Sequence, residues 1–219
     1  MKKLFFLFLL SPLTSLFAQS DSSYFDIGVN SFQLLRIGDN AVRNNEWMSP
    51  YVLHMEAGFG KVGIRVGLGF YQKSSTELPS AFNGNTGFDN DTSSTDLRIG
   101  LAFRTAIGNK WSLKYGADFV LSNRNHSFNT TIEDVDGNEI ENTTEESFSS
   151  SGLGLFLFPQ FHITPRMSVA TEMQLLYLSD KISETVTSTN FPDFDSQKDV
   201  EGNRFFLRPP AALYLIMRF

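Results

Sequence analysis

The chain has 219 residues, 22 of them phenylalanine, no cysteine, and a formal net charge of −6. Without cysteine there are no disulfides, no thiol chemistry and no lipid attachment through a cysteine, and the acidic balance argues against a nucleic-acid partner. A mean hydropathy of −0.15 alongside so much phenylalanine spreads the apolar residues thinly, about one in two positions, rather than gathering them into helices.

Met1 to Ala18 begins with Lys2 and Lys3, runs apolar from Leu4 to Leu10, then reaches Ser11, Pro12 and small residues before Phe17-Ala18-Gln19. This reads as a secretory signal cleaved after Ala18, with residues 19–219 forming a single domain. A transmembrane helix needs about 20 apolar residues, and Pro12, Thr14 and Ser15 interrupt the run first. Loss of Lys2 and Lys3 leaves 16 basic residues against 24 acidic ones, a net charge of −8.

From there the chain repeats a period of two, the pattern of a strand with unlike faces. Tyr24 to Leu35 is the weakest instance. Tyr51, Leu53, Met55, Ala57 and Phe59 alternate with Val52, His54, Glu56 and Gly58; Val62, Ile64, Val66, Leu68 and Phe70 alternate with Gly63, Arg65, Gly67 and Gly69. The pattern returns at Leu97–Phe103, Trp111–Phe119, Gly152–Ile163, Met167–Tyr177 and the terminal Phe205–Phe219, which makes eight strands.

Short turns are expected near Gly60-Lys61, Gly108-Asn109-Lys110 and Thr164-Pro165-Arg166. Long polar loops are expected at Ile37–Met48, Lys73–Ser94, Asn123–Ser147 and Asp180–Asn203. A soluble sandwich would show the same alternation, but short turns at one end and long loops at the other favour an all-β, eight-stranded antiparallel up-and-down transmembrane β-barrel. Phe59, Trp111, Phe161 and Phe219 would form an aromatic girdle at the turn end, and Tyr51, Phe70, Phe119 and Tyr177 one at the loop end. Pro209-Pro210 should fall at the outer rim, and Pro159 in mid-strand predicts a bulge.

The same parity points Glu56, Asp118 and Glu172 inward with Arg65, Arg98, Arg104, Lys114 and Arg208, and His54 close by. An eight-stranded barrel has room for little beyond its own side chains. A plug of ion pairs built on Glu56, Arg65, Arg98, Lys114, Asp118 and Glu172 is therefore expected rather than an open pore. No catalytic residue, cofactor site or metal site is assigned. His126 beside Ser127 reads as solvent-facing loop rather than a nucleophile pair, and Asp134-Val135-Asp136-Gly137 lacks the glycine and glutamate spacing of a calcium loop. Asp136-Gly137-Asn138 reads instead as a hairpin turn that carries two strands outward.

Phe219, Met217, Leu215, Leu213 and Ala211 share one face, with Arg218, Tyr214, Ala212 and Arg208 on the other. A chain stopping on an outward aromatic resembles the carboxy-terminal signal strand of Gram-negative outer-membrane barrels, and nearly the whole mature chain resembles the generic outer-membrane β-barrel domain family. That resemblance implies an outer-membrane location with extracellular loops and both termini in the periplasm, contact with outer-membrane lipid and lipopolysaccharide, and recognition of Phe219 by the barrel-assembly machinery. It implies no catalytic residues. The expected protein is a monomeric, non-enzymatic envelope protein presenting acidic loops for stability or surface contact. The alternatives are a narrow channel or small-solute conduit and an accessory of a secretion or assembly system.

Overall fold

The computed structural model of the chain describes residues 23–36, 49–77, 86–133, 139–188 and 195–219. The expected signal at residues 1–18 and the turn at Asp136-Gly137-Asn138 lie outside them. In chain order the described residues form β1 (Ser23–Asn30), α1 (Ser31–Arg36), β2 (Leu53–Phe59), β3 (Val62–Glu77), β4 (Thr86–Ala106), β5 (Trp111–Glu133), β6 (Glu139–His162), β7 (Met167–Ala170), β8 (Met173–Ser188), β9 (Ser196–Arg208) and β10 (Tyr214–Arg218).

Every pairing is antiparallel. Each strand from β1 to β6 pairs with the next, β6 pairs with both β7 and β8, β8 with β9, β7 with β10, and β10 returns to β1. The hydrogen bonds thus close a ring of eight members among the described residues, β1 to β7 plus β10, with β8 and β9 as continuations of the last two. Closure leaves the ring no edge strand whose backbone groups lack partners. The reversals at Gly60 (φ 59°) and Gly108 (φ 103°) use left-handed backbone that a side chain would strain.

The ring is inverted relative to a soluble domain. Ile64, Ile99, Leu101, Leu155 and Leu215 face outward and exposed, while Arg65, Arg98 and Lys114 are 0% exposed inside. On β5 the outward apolar run from Trp111 to Leu121 spans ten strand steps, about 34 Å along the strand and roughly 26 Å along the axis at a tilt of about 40°. Asn123 ends the belt. Phe59 and Phe219, each 65% exposed, and Trp111 mark its lower border. At its upper half Phe70, Phe119 and Tyr177 also face outward.

Tyr51 does not. It precedes β2, where the alternation has not begun, and its side chain turns fully inward. The first strand also stops early, at Asn30. The Asn30 carboxamide oxygen accepts from the Phe32 N–H at 3.2 Å and so caps α1, which takes the chain out of the sheet where a longer strand was expected.

Three of the expected long loops are largely strand. β3 and β4 remain paired out to Glu77↔Phe88, β5 and β6 to Glu133↔Glu139, and β8 and β9 to Val186↔Ser196. Ser, Thr and Asn continue a ladder whose register is already set. With no apolar face to bury, the period-two signal disappears while the hydrogen bonding does not. The result is a six-stranded polar extension, β3-β4-β5-β6-β8-β9, standing on the ring.

The prolines also depart from expectation. Pro159 makes no bulge: it sits in unbroken register with Leu113, and the β6 pairing keeps one register from Leu157↔Met173 to Gln160↔Ala170. The lost N–H breaks the facing strand instead, at Thr171-Glu172, between β7 and β8. Pro209-Pro210 lies within the wall rather than at a rim, because β9 continues beyond it. Four steps from Ala170 to Gln174 face six from Tyr214 back to Arg208, so the irregularity is at this site, where two residues without N–H groups interrupt the ladder.

Candidate functional site

Register builds the charged interior. One row of paired residues runs Arg218, Asp26, Glu56, Arg65, Gly100, Asp118, Gly154 around the ring, and the next upward carries His54, Gly67 and Arg98. The glycines are spacers for long side chains. A Cβ at Gly67 would collide with the Arg98 guanidinium, and one at Gly100 with the Asp118 carboxylate.

These residues form a connected layer. Arg65 donates through Nε to Asp118 Oδ1 at 2.7 Å, through Nη2 to Asp118 Oδ2, and through Nη2 to Glu172 Oε1 at 2.8 Å. Arg98 Nη1 donates to the same Glu172 oxygen at 2.5 Å. Lys114 Nζ bridges Asp26 Oδ2 and Glu56 Oε2, both at 2.9 Å, and Arg218 grips Asp26 in bidentate fashion at 2.7 and 2.6 Å. Tyr24 donates to Glu56 at 2.7 Å and Tyr214 to Glu172 at 3.2 Å.

Four carboxylates therefore meet four cations, and aromatic rings fill the remaining space. The Arg65 guanidinium lies 3.1 Å from the Phe156 ring centroid, Arg98 4.1 Å from that of Tyr51, and His54 stacks on Phe158 at 5.1 Å. Pairing offsets desolvation without adding much stability, but removal of one partner strands a buried charge. The arrangement packs paired charges and aromatic rings together inside the ring. Nothing in it resembles an activated nucleophile.

The structure brings together all six residues singled out for an interior network, Glu56, Arg65, Arg98, Lys114, Asp118 and Glu172. Arg104 sits lower, at the turn end, 3.4 Å from His162, whose Nε2 is 2.9 Å from Ser112 Oγ. Arg208 lies higher and donates to Gln174 at 2.8 Å. Asp26, Tyr24 and Tyr214 belong to the layer too. Asp26 was readable, since Tyr24, Asp26, Gly28 and Asn30 alternate with Phe25, Ile27 and Val29. The inward face of β6 was not, because Leu155 and Leu157 are as apolar as Phe156 and Phe158; the rings turn in and the leucines out.

His126 and Ser127 are adjacent on β5 and so point to opposite faces, with His126 Nδ1 3.0 Å from Thr92 Oγ1. Among the described residues no group of three or more His, Asp or Glu side chains is placed to hold a metal ion. Above the charged layer, bordered by the polar extension and by Gln33, Pro50 and Tyr51, lies a cavity of about 330 Å³.

No protein-family model and no curated protein matches the chain. Among solved structures it is similar to a major outer membrane protein from Thermus thermophilus, at 11% identity, over 91% of this chain and 100% of that one, with a TM-score of 0.42. It is also similar to CarO of Acinetobacter baumannii, at 10% identity, over 90% and 95% of the two chains, with a TM-score of 0.32. No residue of the charged layer is carried over from either protein.

Proposed function

We propose that the protein is a small integral outer-membrane β-barrel, non-enzymatic and non-conducting, whose ring spans the lipid and whose extension stands above it. The inversion of burial carries this reading: phenylalanines two-thirds exposed outside a ring that hides Arg65, Arg98 and Lys114. Such an exterior is unfavourable in water and matched to hydrocarbon, and a belt of roughly 26 Å fits the outer-membrane thickness. Ser23 and Phe219 lie at the turn end, which becomes the periplasmic side, where the assembly machinery would read Phe219. Glu141, Glu145, Glu184, Asp199 and Glu201 stud the extension and give the outer side an acidic surface for envelope contacts, including lipopolysaccharide through divalent cations.

The test is single-channel recording of the refolded protein in planar bilayers, beside Arg98→Ala and Glu172→Ala. The closed layer predicts silence from the wild type once heat-modifiable gel migration shows it to be folded. A steady wild-type conductance that either substitution alters would overturn the plug and make transport the function.

A further inference from the structure

We propose that the cavity above the charged layer binds an amphiphile with a single apolar chain and an anionic head. This rests on the reading of the ring as membrane-embedded. Its lining mixes two chemistries. Val120 of β5 packs with Leu176, Leu178 and Phe206 of β8 and β9 into an apolar cluster, and around that cluster stand Asp96, Ser122 and Arg124 on β4 and β5 and Arg204 and Arg208 on β9. An apolar cluster set among polar and cationic groups suits neither a plain ion nor a hydrocarbon.

Two donors in the lining point to the head. The Tyr51 hydroxyl, on a fully buried side chain, and the buried Nε of Arg124 have no hydrogen-bond partner in the protein. Buried donors are rarely left unsatisfied, and both are met by a carboxylate or phosphate oxygen. A cavity of about 330 Å³ lies at the small end of ligand sites and has room for one chain.

Among the described residues the cavity also has a side that faces the belt. Beyond Leu68, β3 pairs only with β4, and β9 pairs only with β8, among the described residues. Phe70, at that β3 edge, lines the cavity yet is 65% exposed on the outer face. It continues the apolar belt at its upper border, so an acyl chain from the outer leaflet would meet it first.

The probe is decanoate labelled with ¹³C at the carboxyl, titrated by NMR into nanodiscs with and without the protein. Decanol and acetate serve as competitors. We expect saturable binding at one decanoate per barrel above the empty-disc background, displacement by decanol only at about tenfold higher concentration, and none by acetate. Arg124→Gln should weaken decanoate about tenfold and leave decanol unchanged, while Leu178→Trp should fill the apolar wall and abolish both. Should Leu178→Trp fail to fold, the partly exposed Arg124→Gln still decides.

Binding no greater than in empty discs overturns the proposal. So does equal displacement by acetate, which would mean a simple anion site, or by decanol, which would mean an apolar hole without a head site. A protein that neither enters nanodiscs nor shows heat-modifiable migration would refute the membrane reading as well.

Discussion

The ring and the extension use the same strands, yet they solve opposite problems. In the ring, β5 from Trp111 to Leu121 sets apolar residues outward against Ser112, Lys114 and Asp118 inward. Two residues further on, from Asn123 to Thr131, the same strand keeps its pairing to β4 and β6 but loses the contrast between faces. Backbone pairing is thus indifferent to the surroundings, whereas side-chain alternation records them. Alternation marks where two unlike media meet across the sheet, not where the sheet is.

That contrast predicts unequal sensitivity to substitution. The largest effect belongs to Glu172→Ala, which leaves Arg65 and Arg98 without their shared carboxylate and should cost about 3–5 kcal/mol. Urea-induced unfolding from lipid vesicles measures it, and a loss below about 1 kcal/mol would mean that water already reaches the layer.

Leu101→Arg, at the middle of the outward belt, should cost about 2–4 kcal/mol in the same vesicles. Asn123→Arg, just above the belt, should cost about 0–1 kcal/mol. The pair sharpens the comparison because the substituted residue is the same and only the height differs. Equal costs would place the lipid boundary elsewhere. Least affected should be Lys181→Ala in the extension, where an exposed pair with Glu201 at 3.8 Å contributes within about 0.5 kcal/mol.

Much of the ring was legible because its pattern arises within single strands. Val62 to Phe70 declares both faces without reference to any neighbour, and Arg65, Arg98, Lys114 and Glu172 follow from counting by two. Tyr51 was misread by the same count, carried two residues past the start of β2. The extension was missed since Ser, Thr and Asn in water carry no signature separating a paired strand from a loop. Even so, the outward hairpin of β5 and β6 was anticipated from the residues around Asp136-Gly137.

By itself, then, the sequence determined the period, the inward charges and the all-β class, since these depend on the chemistry of alternate positions along a chain. Only the tertiary structure decided which charge meets which. Arg65 lies 53 residues from Asp118 and 107 from Glu172, and their contacts are products of register and ring closure. The break opposite Pro159, the cap at Asn30 and the cavity over Tyr51 have the same origin. Each depends on what a neighbouring strand presents at one height, which no single strand encodes.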